Sequence, residues 1–106
     1  MENLTTYPKK RLSIIIEEPF LNRLLDILDT LDVPGYTALP AVAGKGKSGS
    51  WRRDALSSNV GGMVQVLVVL DLEKVPGVLQ AVRSVLDRQI GIVSLSDVEV
   101  LRPELF

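Results

Sequence analysis

The run Met63-Val64-Gln65-Val66-Leu67-Val68-Val69-Leu70 decides the fold. Four of its eight residues are valine, none is Gly or Pro, and β-branched side chains fit a pleated strand better than a helix. Val64, Val66, Val68 and Leu70 alternate with Met63, Gln65, Leu67 and Val69, so both faces are largely apolar. A strand of this kind is covered on both sides. If helices cover one face, the other is most simply buried by packing sheet on sheet in an oligomer.

Outward from this strand, the same alternation and its breaks mark five more elements. Arg11 to Glu17 reads as a first strand, and Ile14-Ile15-Ile16 places it centrally. From Pro19 to Asp32 the period lengthens. Leu21, Leu24, Leu25, Leu28 and Leu31 recur at three- and four-residue steps and predict an amphipathic helix ended by Pro34-Gly35. Tyr36 to Val42 is a second strand in which Pro40 favours an edge or a bulge. Asp71 to Arg88 is a second helix with Pro76 in its first turn. Gly91 to Leu101 is the last strand. Val93 and Leu95 share one parity, Val98 and Val100 the other, which predicts a bulge or break near Ser96-Asp97.

The order is β-α-β, a Gly-rich insertion, then β-α-β. This is the α+β class, a ferredoxin-like split βαβ sandwich (βαββαβ) with helices on one face of an antiparallel sheet. The 106 residues form one domain, 9–106, behind a loose leader, 1–8. The insertion, 43–62, holds five of the eight glycines.

The chain has no Cys and no His, which removes disulfides, the usual zinc sites, and Ser-His-Asp or Cys-His catalysis. Carboxylates, amines, guanidinium groups and backbone amides remain, a repertoire for binding rather than turnover, so no catalytic and no metal-binding residue is assigned. The apolar run after Lys9-Lys10-Arg11 is too short for a signal peptide or a membrane span, which predicts a cytoplasmic protein.

A net charge of -1 conceals an uneven distribution. Lys45, Lys47, Arg52 and Arg53 make the segment 43–53 +4, leaving -5 for the rest. In Gly44-Lys45-Gly46-Lys47-Ser48-Gly49-Ser50, Gly and Ser alternate with Lys, a backbone able to turn several N–H groups toward one anion. The sequence is not a Walker A motif, because the spacer and terminal G-K-[ST] are missing. Lys45, Lys47, Ser48, Ser50, Arg52 and Arg53 either hold a small anion such as bicarbonate or phosphate or belong to a flexible solvated loop that they keep soluble. Trp51 either anchors the segment on an apolar surface or stacks with a partner. Arg102, at the sheet border, either snorkels or reaches a neighbouring subunit's ligand. The paired acids Glu17 and Glu18 read as an ordinary strand end.

Gly35-Tyr36-Thr37 after the first helix, Gly44-Lys45-Gly46 before a polar loop, and Asp97 to Arg102 resemble the PII signal-transduction family over roughly residues 12–102. The resemblance implies a homotrimer of ferredoxin-like subunits with adenine nucleotides in the clefts between them. It implies Thr37 at the adenine and Gly44, Lys45, Gly46 and Arg102 at the phosphates. Asp87-Arg88-Gln89-Ile90-Gly91 stands where the family has a Gly/Lys-rich phosphate loop, with Arg88 and Gly91 as the nucleotide-facing residues. It also implies a T-loop, ordered by ligand, that engages a transporter, enzyme or regulator.

The departures from the family shape the expectation. Gly35 to Gly44 is one residue longer than usual, implying a bulge near Pro40. The loop after Gly46 is short, and Pro103-Glu104 stands where a second basic residue is usual. Fewer phosphate contacts favour ADP or AMP over ATP, and disfavour a 2-oxoglutarate site. The pattern is more similar to the PII-like, carboxysome-associated proteins of inorganic-carbon uptake, which implies bicarbonate as a second ligand and a bicarbonate transporter or carboxysome-linked target as partner.

Other uses of the same strand order fit less well. No aromatic residue lies on Leu12 to Ile16 or Met63 to Leu70 to stack bases, so nucleic acid is not expected. Glu17-Glu18-Pro19 has the wrong charge for an acylphosphatase-type anion loop. An ACT-like small-molecule-binding regulatory domain is the alternative, and it has little reason for a +4 loop.

Overall fold

The structure, a computed structural model, describes residues 4–47, 49–52, 62–87 and 91–106. Strand β1 (Tyr7–Glu17) leads through a 3₁₀ turn at Glu18–Phe20 to helix α1 (Leu21–Thr30). Then come β2 (Thr37–Pro40), β3 (Ala43–Gly46), β4 (Gly49–Arg52) and β5 (Met63–Leu70). A second 3₁₀ turn, Leu72–Lys74, enters α2 (Val75–Leu86), and β6 (Ile92–Val100) closes the fold.

Four strands form one antiparallel sheet in the order β2-β5-β1-β6, and β3-β4 form a separate hairpin. Each βαβ unit skips one strand, and the skipped strand belongs to the other unit. This is the ferredoxin-like split βαβ arrangement expected from the element order. β1 is central, paired with β5 from Lys10↔Leu70 to Glu17↔Met63 and with β6 from Tyr7↔Val100 to Ile15↔Ile92.

Side chains directly opposite one another share a face, so the register sorts the sheet into two sides. Leu12, Ile14, Ile16, Val66, Val68 and Leu70 are fully buried under Leu24 and Leu28 of α1 and Val75, Val78 and Val82 of α2. The other side presents Ile15, Met63, Leu67, Val69, Val98 and Val100, all only half-buried. Within it Gln65 Nε2 donates to Ser13 Oγ at 2.8 Å, so that polar pair is satisfied.

Several boundaries differ from the sequence reading. β1 begins at Tyr7, because Tyr7 and Pro8 of the expected leader pair with Val100 and Glu99. α1 ends at Thr30, and the reversal is made by Asp32 at φ 56 rather than by Gly35. A short polar side chain tolerates that left-handed conformation.

The bulge or break expected at Ser96-Asp97 is absent, since the β1–β6 ladder runs without interruption. The change of apolar parity arises because the helix layer runs out at that end. There Lys10 ion-pairs with Asp97 on the helix side, and Val98 and Val100 are half-buried on the other. Of the two alternatives at Pro40 the edge holds, since β2 is the outer strand of the sheet, and the bulge is absent. The β2–β5 ladder continues to a bond from Ala41 N–H to Met63 O, 2.9 Å, and the extra residue is taken up by Val42, 74% exposed, before β3.

The start of β2 is tied back to α1 by the Tyr36 hydroxyl, which donates to Asp29 Oδ1 at 2.8 Å. This bond raises the Tyr36 phenol above its usual range, with desolvation and the charges of Asp29 and Asp26 adding to it. Ile14→Ala removes a fully buried side chain from the centre of the core. It should lower the unfolding free energy by about 2–5 kcal/mol in urea denaturation. A loss under about 1 kcal/mol would mean that Ile14 is not packed as described.

Candidate anion-binding cleft

The segment expected as an irregular loop carries a hairpin. β3 and β4 pair through Ala43↔Arg52, Gly44↔Trp51, Lys45↔Ser50 and Gly46↔Gly49. Lys47 sits in the turn between them, and Gly49 takes φ +105, a conformation that suits only glycine. The pairing places Lys45, Ser50 and Arg52 on one face of the hairpin and Gly44 and Trp51 on the other.

Gly44 is required by its partner. A Cβ there would stand 2.7 Å from Trp51 Nε1 and 3.0 Å from Cε2 and Cζ2, so the indole lies directly against the glycine backbone. Trp51 is half-buried, anchoring the hairpin from within.

Between this hairpin and the end of the sheet lies a cleft of about 360 Å³. The sheet contributes Ile15, Glu17, Met63, Gly91 and Ile92; the hairpin contributes Gly44, Lys45, Gly46, Gly49, Ser50 and Trp51. Gly91 allows the chain returning from α2 to press against β1, since a Cβ would meet Leu86 Cδ2 at 2.7 Å and Ile15 O at 3.2 Å. The lining combines apolar side chains of the sheet with glycine-rich hairpin backbone and the residues Lys45 and Ser50.

The cleft thus brings together Gly44, Lys45, Gly46, Ser50 and Gly91 of the expected site. Lys47 and Arg52 are exposed on the hairpin beside it. Thr37 is exposed on β2, opposite Leu67, outside the cleft lining. Arg102 follows β6 at the end away from Ile92, its side chain 70% exposed and its Nε 3.7 Å from Glu104 Oε1. The length of β6 puts roughly 25 Å between Arg102 and the cleft of its own chain, beyond an arginine's reach. Ser48, Arg53 and Arg88 lie outside the described residues.

Sequence reasoning missed the hairpin, Glu17 and the apolar part of the lining. The signal for the hairpin was present in Gly46-Lys47-Ser48-Gly49, a turn-forming tetrad flanked by alternating residues.

A larger cleft, about 580 Å³, lies at the other end of the sheet and includes Lys9, Lys10, Asp97 and Glu99. Its lysines are already matched: Lys9 Nζ is 2.5 Å from Asp71 Oδ1, and Lys10 pairs with Asp97. With its cations neutralised and Glu99 added, it is poorly suited to an anion. Among the described residues no group of three potential ligands is placed to hold a metal ion, and no helix is long and apolar enough to cross a membrane.

Comparison with known proteins identifies the family. The family model for nitrogen regulatory protein P-II matches residues 9–105. The chain belongs to the P-II family.

Among solved structures, the chain is similar to CPII, a nitrogen regulatory PII-like protein from Thiomonas intermedia K12, bound to ADP, AMP and bicarbonate. The TM-score is 0.86 and the identity 27%, over 97% of each chain. CPII bound to ADP and bicarbonate gives a TM-score of 0.85 at 27% identity, covering 97% of this chain and 98% of that one. CPII bound to ADP, AMP and acetate gives 0.79 at 26% identity, over 96% and 97%. A search of curated proteins gives no match. The P-II match displaces the ACT-like alternative, and with it the chain is a PII-like signalling protein.

Gly44→Val places two methyl groups where the indole of Trp51 lies. The side chain must leave its position, so the variant's tryptophan emission should shift toward that of exposed indole while far-UV circular dichroism stays that of the parent. An unchanged emission maximum would show that the ring does not rest on residue 44.

Proposed function

We propose that this P-II family chain is a non-enzymatic sensor that binds an adenine nucleotide, ADP or AMP, together with bicarbonate, in the cytoplasm. The observation that carries the reading is the cleft itself. It gathers Gly44, Lys45, Gly46, Ser50 and Gly91 in a chain whose neighbour CPII was solved with ADP, AMP and bicarbonate. Backbone amides and an ammonium group bind anions without altering them covalently, and the sequence offers no imidazole or thiolate to do more.

The working unit is a homotrimer. The sheet face carrying Ile15, Met63, Leu67, Val69, Val98 and Val100 is too apolar to remain uncovered, and copies of the same face cover it. Trimerisation also accounts for the scatter of the expected site. Arg102 is far from its own cleft, as a residue serving a neighbour's ligand must be, and Thr37 meets the nucleotide base at the subunit border.

Bicarbonate sits at the cationic rim, held by Lys45 and Ser50 with Lys47, Arg52, Ser48 and Arg53 contributing charge and hydroxyls. A ligand held between sheet and hairpin stabilises one arrangement of the hairpin. That arrangement changes its affinity for a target, a bicarbonate transporter or another carboxysome-linked protein. A coupling of about 1–3 kcal/mol between ligand and target suffices for such control.

Calorimetric titration with AMP, ADP, ATP and bicarbonate tests the reading. ADP or AMP should bind, ATP more weakly, and Lys45→Ala combined with Lys47→Ala should weaken anion binding without dissociating the oligomer. Absence of heat with every adenine nucleotide would refute it. The assembly is tested separately by Leu67→Asp, which puts a charge on the half-buried sheet face. Light scattering should give three times the chain mass for the parent and one for the variant; a monomeric parent at micromolar concentration contradicts the trimer.

A further inference from the structure

Lys9 is an unusual lysine for a surface strand. The β1–β6 register sets it opposite Val98, on the half-buried side of the sheet that also carries Ile15 and Leu67, yet only 9% of its side chain is exposed. Its ammonium group reaches the segment that follows β6. There the backbone folds into a 3₁₀ turn at Pro103–Leu105, closed by bonds from Leu105 N–H to Arg102 O and from Phe106 N–H to Pro103 O, each 3.1 Å. Lys9 Nζ donates to Phe106 O at 3.4 Å and to Asp71 Oδ1 at 2.5 Å. A buried charge is stable only where partners satisfy it. Asp71 thus fixes the ammonium group, and the ammonium group fixes the turn.

We propose that Lys9 is a positioning residue for Arg102, bolting the C-terminal turn to the sheet so that the guanidinium group stands at the subunit border. The inference rests on the reading of Arg102 as a residue that serves a neighbouring subunit's nucleotide, and deepens it. The turn departs from Arg102, whose carbonyl accepts the first of its bonds, so the backbone that carries this side chain is set by the same closure. The side chain itself is loosely held. It is 70% exposed, and its Nε lies 3.7 Å from Glu104 Oε1, a separation that contributes little in solvent. Its aim therefore comes from the backbone, and the backbone is tied to the sheet through Phe106 and Lys9. A group held in place before the ligand arrives binds more tightly than one gathered from several positions. Lys9 does not supply the contact itself, because its ammonium group is enclosed and its charge is matched by Asp71. The adjacent Lys10 pairs with Asp97 on the helix side of the sheet and donates no bond to the turn, which makes it the control.

The test is calorimetric titration of the oligomer with ADP, in the parent, Lys9→Met, Arg102→Ala, the combination of the two, and Lys10→Met. Arg102→Ala should weaken ADP about tenfold, the loss expected for one hydrogen bond between charged groups. Lys9→Met should weaken it about threefold, as for a turn that spends about a third of its time in the binding position. The combination should be no weaker than Arg102→Ala alone, because a misplaced arginine and a missing one lose the same contact. Lys10→Met should bind as the parent does. Lys9→Met leaves Asp71 without its partner, so Lys9→Met with Asp71→Asn repeats the measurement with no unmatched charge and should give the same loss. Circular dichroism and light scattering establish that the variants keep fold and assembly. Parent-like ADP binding in both Lys9 variants overturns the proposal. Losses that add in the combination also overturn it, since a general loosening of the fold acts independently of Arg102, as does an equal loss in Lys10→Met. Undiminished binding in Arg102→Ala overturns it together with the reading of Arg102, while the nucleotide site stands. Failure of the parent to bind ADP refutes the functional reading as a whole.

Discussion

The two-sided pairing of β1 is the constraint on which the rest of the structure depends. Because β5 and β6 flank it in uninterrupted antiparallel register, the parity of each residue on three strands is fixed at once. A slip of one residue would send Leu12, Ile14 and Ile16 to the outer face and expose the core that α1 and α2 cover. The same register brings the C-terminal end of β1 and the N-terminal ends of β5 and β6 to one edge. Ile15, Glu17, Met63, Gly91 and Ile92 meet there, and the hairpin stands over them. Core and cleft are thus two consequences of one ladder.

Electrostatics then distinguishes the two ends of the sheet. At the end where β1 begins, Lys9 and Lys10 are matched by Asp71 and Asp97, and these pairs pin the chain rather than recruit a ligand. At the other end Lys45, Lys47 and Arg52 ride on a hairpin that brings no acid of its own among its described residues. The near-neutral total charge of the chain is the sum of these unlike regions. Preorganisation of the positive end depends on a packing detail, the indole of Trp51 lying on Gly44, which holds two short strands together without a larger sheet.

Strand and helix identity, the split βαβ order and the composition of the core were legible because each rests on a period that the side chains repeat. Val64 to Leu70 alternates, and Leu21 to Leu28 recurs at helical steps. The hairpin was not legible on that ground. Its strands are four residues long, rich in Gly and polar residues, and stabilised by one cross-strand contact rather than by a buried face. The false bulge in β6 has a different origin. Periodicity reports which face is covered, and at Ser96-Asp97 the cover changes sides while the backbone continues straight. Gly44, Lys45, Gly46 and Ser50, close in sequence, line one cleft, and Gly91 joins them through the fold. Thr37 and Arg102 lie outside the lining of that cleft in the single chain, and no period in the sequence reports such separation.

Trp51 is the one tryptophan in the chain, and it lines the cleft, so its emission reports on that place alone. Titrating the parent with bicarbonate in the presence of saturating ADP should give a saturable change in tryptophan emission, with the midpoint found by calorimetry. Ligand binding in the calorimeter with no change in emission would place the ligand elsewhere and contradict the assignment of the hairpin-capped cleft as the sensing site.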